Sequence, residues 1–527
     1  MAAGLDVPRP HLQIRAAFAR LGPWAPAAIS CATIVVTAVL LIHTFWGDPS
    51  IYLSYARNFA RGDLFQFDPG GEFSSGVASP LWEALLSVPF AFGAGSTGAR
   101  VWSLLIALVA FVVVVGTTQR LTRSALAAGF ASFFLVSAFA LYAVMGYDSA
   151  VVISLAALSI VAGESAAKRF EEGRLDVRSV LPLVAVWAAL PLARPDAAAL
   201  VVLELVALAT VGPARGPKKT LLLIGAAALA AMPAVAYYGY SQLTLGSYTV
   251  SNSTRAIDQR SAADSFGPVL YSRPALTYFE GIWYALLLAA IGIWRFWRTD
   301  GRRWLAMYAV TAIAVYCLLL VFYPVTFYME RYFLPATAFI VVGIAEALVY
   351  LWRRTLVGVG ACVLAAVVLT VSLRDAVDTA SRERDKAYSF NEIMERGVAT
   401  RVNRIAPPHA TVLAYEVQAR YLLRDDLRLL SVNGITDGKV APYRPKRDMT
   451  GFLQRYRPTY WIANDAVKGL PYTRSSILDN VIRTYESNPR QRTVGAAGIR
   501  FELIARRSHP PPSGFAGWLF LFKLRYS

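Results

Sequence analysis

Acidic and basic residues stand at the ends of long apolar segments of this chain. Asp48 follows the first apolar segment, Asp148 precedes the fourth, Arg331 opens the tenth, and Arg194 and Asp196 separate two short segments. A carboxylate in a half-buried pocket can act as a general base toward a hydroxyl group. Arginine is a natural ligand for a phosphate at a membrane surface. These residue types could therefore activate a hydroxyl and hold a phosphate.

Each of these residues also has a simpler structural interpretation. Asp48 could be a helix-end residue in water, Asp148 could cap the fourth segment, and the others could be interfacial anchors. The functional alternative for Asp148 is a group that coordinates a metal or hydrogen-bonds a sugar. Function is favoured because five arginines fall on the predicted outer side, where the charge rule disfavours arginine: Arg57, Arg194, Arg255, Arg273 and Arg331.

A polar stretch from Gly47 to Trp82 surrounds Asp48 and is rich in glycine, proline and aromatic residues. Pro49 ends the preceding helix. The four residues that follow are spaced to lie around one short amphipathic helix: Tyr52, Tyr55, Arg57 and Asn58. This stretch opens a large first outer loop, residues 47–100, which we expect to form part of a site.

The composition indicates a polytopic membrane protein. The chain has 527 residues, of which 56% are hydrophobic and 16% charged, and its mean hydropathy is +0.45; these values exclude a soluble globule. A net charge of +18 could suggest a nucleic-acid partner, but the basic residues lie mainly in short loops, as the positive-inside rule requires. We therefore expect no nucleic-acid partner. The three cysteines have neither disulfide nor metal spacing.

A transmembrane helix needs about 20 apolar residues. The hydropathy predicts eleven spans: 25–46, 101–119, 124–144, 149–167, 179–193, 197–212, 220–242, 279–297, 304–323, 332–352 and 355–373. The apolar segment from Pro80 to Phe92 is short, and treating it as a helix along the membrane surface puts every rich Lys/Arg loop on one side. This topology places the N-terminus in the cytoplasm and the C-terminus outside.

Past Arg374 the composition changes. Residues 375–527 hold charges, prolines and short β-like runs at 410–415 and 500–504, alternating with helical stretches such as 389–405. About 150 residues are enough for a separate core. We therefore predict a transmembrane module over residues 1–374 and a soluble, extracytoplasmic α/β domain over residues 375–527. The apolar run from Trp518 to Phe522 is predicted to pack rather than to span.

Weak motifs along the chain resemble, in order, those of the GT-C superfamily of polytopic glycosyltransferases. The most similar branch contains bacterial arabinofuranosyltransferases and relatives of protein O-mannosyltransferases. Its first outer loop typically reads DDAYISFRYARN, G-x-x-F-N-P-G and T-x-P-L-W. Here the matching runs are Gly47-Asp-Pro-Ser-Ile-Tyr-Leu-Ser-Tyr-Ala-Arg-Asn58, Phe65-Gln-Phe-Asp-Pro-Gly70 and Ser79-Pro-Leu-Trp82, followed by Gly146-Tyr-Asp-Ser149, Arg194-Pro-Asp196, 246–252, Arg331-Tyr-Phe-Leu-Pro335 and 432–437.

The resemblance implies a GT-C fold and a glycosyltransferase of a bacterial-type plasma membrane. The donor would be a polyprenyl-phosphate sugar, and transfer to an extracytoplasmic glycan, lipid or protein would invert the anomeric carbon. Asp48 would be the catalytic base. Arg331 and Arg194, or a divalent metal such as Mg or Mn held by Asp48 and Asp148, would neutralise the leaving phosphate. Substrate-binding residues would be Arg57, Asn58, Asp148, Arg194, Asp196, Asn252 and Arg331.

The chain departs from the family pattern at two positions. The usual paired aspartate is Gly47-Asp48, and the P-N-T loop reads Ser251-Asn252-Ser253. The sugar, arabinofuranose or mannose-like, therefore stays open, as does the acceptor. A transporter or flippase of lipid-linked glycans is the alternative function, and it predicts inverted repeats and charges at mid-span. A third interpretation is a membrane-anchored binding protein that uses only residues 375–527.

Overall fold

A computed structural model gives the three-dimensional structure of the chain. It describes residues 22–42, 48–139, 146–173, 177–246, 269–322, 330–352, 367, 371, 374–382, 384–385, 397–415, 417, 419–432, 434, 436, 439–443, 446–464, 476–488, 490–509 and 517–527. The backbone of Asp48 is described, but its side chain is not. Structural statements below concern the described residues.

The described chain up to residue 352 is mainly helical. In a membrane every backbone polar group must be satisfied internally, so long apolar segments fold as helices. The helices in chain order are α1 (Ala25–Leu41), α2 (Asp48–Ala60), α3 (Pro80–Ala91), α4 (Ser96–Thr122), α5 (Ala125–Ala131), α6 (Phe133–Ala138), α7 (Ser149–Glu171), α8 (Val177–Ala193), α9 (Ala198–Thr210), α10 (Pro217–Leu245), α11 (Val269–Trp297), α12 (Arg303–Phe322) and α13 (Glu330–Trp352).

Five of these helices are long and apolar enough to cross a membrane, namely α4, α7, α10, α12 and α13. Shorter apolar helices of 10–17 residues include α1 and α8. The chain is therefore a multi-pass membrane protein, as the composition predicts. The number of about eleven spans stays a prediction, because the segment 355–373 lies almost entirely outside the described residues.

The predicted span 124–144 is interrupted within the part that the structure describes. Ser132 separates α5 from α6, and its Oγ donates to the Gly129 carbonyl at 2.6 Å and to Ser30 Oγ of α1 at 3.1 Å. Hydroxyl groups that bond to the backbone disturb a helix locally, and in apolar surroundings they also join neighbouring helices. Residues 140–144 of this span lie outside the described residues.

The predicted break between two short spans is confirmed. α8 ends at Ala193, Arg194 is extended with φ −160° and ψ 137°, and Pro195 begins a 3₁₀ turn that leads into α9. A residue before proline is driven toward extended backbone, so the Arg194-Pro195 pair stops α8. The break leaves Arg194 and Asp196 where two helices end.

Charged residues near the C-terminal ends of α4 and α7 contact each other. Arg120 Nε lies 3.2 Å from Glu164 Oε2, and Arg302, which precedes α12, lies 3.9 Å from Glu164 Oε1. The predicted basic loops near residues 120 and 300 therefore lie at one end of the helices. Asp148 lies at the opposite end of α7.

Helix α3 covers most of the segment that is predicted not to span. It has 12 residues, so its length is about 18 Å, and a hydrocarbon core is about 30 Å thick. It packs on α2 and α4. Trp82 Nε1 donates to the Gly146 carbonyl at 2.9 Å, which ties α3 to the turn before α7.

Helices α11 and α13 cross at glycines. A Cβ atom on Gly343 of α13 would lie 2.9 Å from both the Cα and the carbonyl oxygen of Ala289 in α11. Gly292 of α11 faces Gly343 in the same contact. Small residues let membrane helices approach closely. The crossing holds α13, which begins beside Arg331, against α11.

The C-terminal part contains a six-stranded sheet in the order β2-β1-β3-β6-β5-β4. β1 is parallel to β2 and β3, and the other neighbours are antiparallel. The predicted α/β class is confirmed, and residues 518–522 lie in a strand; the boundary after residue 374 stays a prediction. The elements are α14 (Thr400–Ile405), β1 (Thr411–Ala414), α15 (Ala419–Leu422), β2 (Arg428–Ser431), α16 (Met449–Tyr456), β3 (Tyr460–Asn464), α17 (Ile477–Ser487), β4 (Thr493–Ala496), β5 (Ile499–His509) and β6 (Gly517–Tyr526).

The two faces of the sheet belong to different apolar cores. On β3, Tyr460 and Ile462 join the core that is continuous with the membrane helices, whereas Trp461 and Ala463 join a second core with α16 and α17. The residues of β6 alternate in the same way. Successive strand residues point to opposite faces. One face of the sheet therefore shares a core with the helical part of the chain.

We expect Gly343→Ala to lower the stability of the protein by about 1–3 kcal/mol, because the added methyl group must push α11 and α13 apart. Gly225→Ala in α10 is the matched control, since a Cβ there meets no described atom within 4 Å. Thermal unfolding of both variants in detergent micelles measures the difference. Equal melting temperatures would contradict the close crossing.

Candidate functional site

Residues from four elements meet at the end of the helices that carries the first outer loop. Asp148 lies directly before α7, Arg194 and Asp196 lie between α8 and α9, and Arg331 lies in the first turn of α13. Tyr52 of α2 joins them, because its hydroxyl donates to Asp148 Oδ2 at 3.4 Å. We call these five residues the acid–arginine cluster. It brings together four of the predicted site residues.

Asp148 is 6% exposed. It precedes α7, but its side chain makes no capping bond to that helix. Burial raises the pKa of its carboxyl above the ordinary value; the guanidinium groups of Arg194 and Arg331 and the hydroxyl of Ser79 offset part of this rise. The side chain faces the cluster and does not cap α7, so the N-cap interpretation is wrong, and the functional role of Asp148 stays a prediction.

Arg194 joins the α8–α9 break to α13. Its Nε and Nη2 donate to the two carboxylate oxygens of Asp196 at 3.0 and 2.8 Å, and its Nη1 donates to the Arg331 carbonyl at 2.6 Å. Burial by itself lowers the pKa of this guanidinium, but the carboxylates of Asp196 and Asp148 outweigh burial and raise that pKa above its ordinary value. Arg194 therefore stays charged, and its donors are used in the bonds to Asp196 and to the Arg331 carbonyl.

Arg331 is half-buried between aromatic rings. Its guanidinium carbon lies 5.3 Å from the ring centre of Tyr147 and 5.1 Å from that of Tyr332. Its Nη2 donates to the Tyr332 hydroxyl at 3.1 Å. Stacking on aromatic faces fixes the plane of a guanidinium and hence the direction of its donors. Arg331 is thus held as an oriented cation that is more accessible than Arg194.

Two hydroxyl groups fasten the loop after α2 to helices α8 and α10. Ser79 Oγ donates to the Ala193 carbonyl. The Tyr238 hydroxyl lies 2.8 Å from the Pro191 carbonyl and 3.2 Å from the Ala78 carbonyl. Ser79 opens the Ser79-Pro-Leu-Trp82 motif, whereas no sequence signal marks Tyr238, because isolated hydroxyl residues near spans are common. They hold the loop against the break that carries Arg194.

Two residues that the sequence predicts as substrate ligands make other contacts. Asn58 is fully buried, and its Nδ2 donates to two carbonyls of its own loop at 3.0 and 2.9 Å. Arg57 Nη2 lies 3.2 Å from Asp425 Oδ1, and its guanidinium carbon lies 5.0 Å from the ring centre of Tyr421. Asn58 shapes the first outer loop, and Arg57 bonds to the C-terminal domain.

The structure does not describe the side chains of two predicted site residues. Asn252 lies outside the described residues, as does the side chain of Asp48. The described backbone nevertheless places Asp48 at the start of α2, about one helical turn before Tyr52. A Cβ on Gly146 would lie 3.8 Å from the Cβ of Pro49. The chain at Asp48 therefore runs beside the turn that carries Asp148.

The described surroundings of Asp148 do not fit a divalent metal. The described residues contain no group of three or more His, Cys, Asp or Glu side chains that could hold a metal ion. Two guanidinium groups face Asp148, whereas Mg²⁺ and similar ions need several oxygen ligands. The predicted metal pair of Asp48 and Asp148 stays a prediction, because the side chain of Asp48 lies outside the described residues.

Glu83 is a buried carboxyl that the motif pattern does not mark. It lies in α3 and is fully buried. Burial raises the pKa of its carboxyl to about 8, and the backbone amide of Phe65 offsets part of the rise. The Phe65 ring packs on Tyr237 of α10, with ring centres 5.0 Å apart. The only sequence signal is a glutamate inside an otherwise apolar segment.

No family model matches the chain, and no curated protein sequence matches it. Solved structures do match. ArnT from Cupriavidus metallidurans bound to undecaprenyl phosphate has a TM-score of 0.56 at 16% identity, covering 94% of this chain and 97% of that one. The apo form of that protein has a TM-score of 0.57 at 13% identity over the same shares. The Archaeoglobus fulgidus oligosaccharyltransferase in complex with Zn and sulfate has a TM-score of 0.51 at 12% identity, covering 83% and 68%.

These likenesses define the class of fold. The chain has the GT-C fold, a polytopic helical membrane module with a C-terminal α/β domain. The resemblance in the sequence motifs is confirmed at this level. The particular branch stays a prediction, because identities of 12–16% establish the fold alone.

Glu83→Gln should remove a pH-dependent loss of stability. A glutamate titrates near 4.5 in the unfolded chain and at about 8 in the folded one, so between these values the folded state binds more protons. The free energy of unfolding then falls by up to about 1.4 kcal/mol per pH unit as the pH rises. We expect the melting temperature of the variant, relative to the native protein, to increase from pH 5 to pH 8.

Glu72→Gln is the matched control for this measurement, since Glu72 lies in the same loop and its side chain is 86% exposed. Its melting temperature should differ from the native value by the same amount at every pH. If the native protein and Glu83→Gln have parallel pH profiles, Glu83 does not titrate in this window.

Proposed function

We propose that the chain is an integral membrane glycosyltransferase that transfers a sugar from a polyprenyl-phosphate donor to an extracytoplasmic glycan, lipid or protein acceptor, with inversion. The observation that carries the proposal is the acid–arginine cluster. It places the carboxyl of Asp148 and the oriented guanidinium of Arg331 beside the start of α2, where Asp48 lies. A carboxylate can accept the proton of an acceptor hydroxyl, and a neighbouring cation can neutralise a phosphate leaving group.

The fold supports a lipid-linked donor. A protein of the same fold, ArnT, has been solved with undecaprenyl phosphate bound. The membrane helices of this chain would present their outer ends to such a lipid, so its phosphate would lie near Arg331. The proposal includes a bacterial-type plasma membrane, a cytoplasmic N-terminus and an extracytoplasmic C-terminal domain. This orientation follows from the distribution of basic loops.

In the proposed reaction Asp48 accepts the proton of the acceptor hydroxyl. The hydroxyl oxygen forms a bond to the anomeric carbon from the face opposite the phosphate, while the bond from that carbon to the phosphate oxygen breaks. The electron pair leaves with the polyprenyl phosphate. Arg331 neutralises the developing negative charge, since donors that are already oriented cost no reorganisation during the reaction. Asp148 and Tyr52 would then line the place of the sugar.

The two arginines have different proposed roles. Arg194 directs three of its nitrogens to Asp196 and to the Arg331 carbonyl, so it positions the first turn of α13. Arg331 is more accessible and points its guanidinium between two tyrosine rings. We therefore assign the phosphate contact to Arg331 and a positioning role to Arg194. This division refines the sequence prediction, which gave both residues one role.

Asp48→Ala should lower transfer by about 10²- to 10⁴-fold, the usual effect of losing a general base. Mass spectrometry of surface glycans would compare a deletion strain with strains that carry the native chain, Asp48→Ala or Glu72→Gln. We expect one defined sugar residue to be lost in the deletion and Asp48→Ala strains and kept in the other two. The result identifies sugar and linkage together.

Unchanged glycans in the deletion strain would favour a transporter or a binding protein over a transferase. Loss of the sugar in the deletion strain but not with Asp48→Ala, at equal protein level, would remove Asp48 from the mechanism.

Arg331→Gln should weaken the binding of polyprenyl phosphate by about 10- to 100-fold, because a hydrogen bond to a charged group contributes about 1.5–3 kcal/mol. Binding of undecaprenyl phosphate to the purified chain in nanodiscs can be followed by native mass spectrometry. Arg303→Gln is the matched control, since Arg303 pairs with Asp300 at the opposite end of the helices and is 56% exposed. Equal affinities of both variants would place the phosphate elsewhere.

A further inference from the structure

Helix α2 connects the acid–arginine cluster to the C-terminal domain. It has 13 residues and a length of about 20 Å. Its first residue is Asp48, and Tyr52, one turn later, contacts Asp148. Its last two turns and the loop that follows contact residues more than 350 positions further along the chain. A displacement of the far end of such a helix also displaces its start, because a helix of this length is nearly rigid.

Two arginines at the far end of α2 bond to one aspartate. Arg57 Nη2 and Arg61 Nη1 lie 3.2 and 2.7 Å from the two carboxylate oxygens of Asp425. The guanidinium of Arg57 also stacks on Tyr421 of α15. Asp425 and Arg61 are 46% and 47% exposed, so solvent screens this pair and its contribution is modest.

An ion pair with a buried arginine joins the first outer loop to α15. Arg420 is 0% exposed, and its Nε lies 2.7 Å from Asp68 Oδ1. Both carboxylate oxygens of Asp68 also accept from the Leu429 amide, at 3.1 and 3.2 Å. Arg420 donates further to the carbonyls of residues 423–425 at 3.2–3.4 Å. A buried charge that loses its partner is strongly destabilising, so Asp68 and Arg420 cannot separate easily.

Hydroxyl groups also connect the C-terminal domain to α2. The Thr436 carbonyl accepts from Ser74 Oγ, and Ser74 Oγ lies 2.6 Å from the Tyr55 hydroxyl. Tyr55 belongs to α2, one turn after Tyr52, and its side chain is fully buried. The C-terminal domain therefore reaches the middle of α2 as well as its end.

We propose that the C-terminal domain sets the position of α2 and thereby of Asp48, with Arg420 as a positioning residue for transfer. The inference rests on the proposed function and deepens it, because it gives the C-terminal domain a part in the reaction without contact to substrate. Arg420 contacts Asp68 and the carbonyls of its own turn, so its effect reaches the site only through the loop and α2. A domain that served only to bind glycan would not need a buried cation against this loop.

The test uses the full chain in nanodiscs with polyprenyl-phosphate arabinofuranose and polyprenyl-phosphate mannose as donors. The acceptor is the cell envelope of a strain that lacks the chain. Arg420→Gln should lower kcat by about 10- to 100-fold, since small displacements of a reacting group have effects of this size. The KM for the donor should stay within about two-fold, because the contact assigned to the donor's phosphate, Arg331, lies on α13 rather than on α2.

Three further variants complete the series. Arg420→Lys should recover part of kcat, because it keeps the charge opposite Asp68. Asp425→Asn should lower kcat by only about three-fold, because the ion pair that it removes is partly exposed to solvent. If Arg420→Gln does not fold, this variant still tests whether the C-terminal domain positions α2. Asp479→Asn is the matched control: this buried aspartate pairs with Arg483 at 2.9 Å within α17, and its loss should leave kcat unchanged.

Amide hydrogen exchange of residues 48–60 gives a readout that does not depend on transfer. Exchange there should quicken in Arg420→Gln and stay native in Asp479→Asn. If the native chain transfers neither sugar, the proposed function fails, while the exchange still decides whether the domain holds α2. A folded Arg420→Gln with native kcat, or a native rate of exchange at 48–60, would overturn the positioning role.

Discussion

The site depends on the hydrogen bonds that the guanidinium of Arg194 donates. This guanidinium donates to both carboxylate oxygens of Asp196 and to the carbonyl of Arg331 in the first turn of α13, so it connects the break between α8 and α9 to α13. A charge at 5% exposure is stable only when it is paired and its donors are used. The pairing fixes three helix ends relative to one another. Arg331 therefore obtains a defined direction from a neighbour whose own donors are already used.

Much of the fold could be predicted because hydropathy and proline act locally. The length of an apolar run predicts a helix, and a proline after Arg194 predicts where that helix ends. The short β-like run at 410–415 predicts β1. Residues 43–46 of the predicted first span and almost all of the segment 355–373 lie outside the described residues, so the number of spans stays a prediction.

The partners of individual side chains could not be predicted in the same way. Arg57 and Asn58 share a motif with Asp48, and this shared motif placed all three in one predicted site, Asp48 as the base and the other two as substrate-binding residues. On a helix, however, residues nine and ten positions apart need not face the same neighbours. Asn58 bonds inward to its loop, and Arg57 finds Asp425, a partner 368 positions away. Glu83 was missed for a related reason, since burial of a single glutamate depends on helices that are distant in sequence.

The two-faced sheet limits how this protein can vary. Tyr460 and Ile462 belong to the core of the membrane helices, and the same strand supplies the second core on its other face. Exchange of the C-terminal domain for that of a distant relative would leave one apolar surface mismatched and Asp68 without its cation. The domain and the first outer loop are therefore expected to be inherited as a unit, so substitutions in one should be accompanied by substitutions in the other, while the lipid-facing sides of the helices are free to drift.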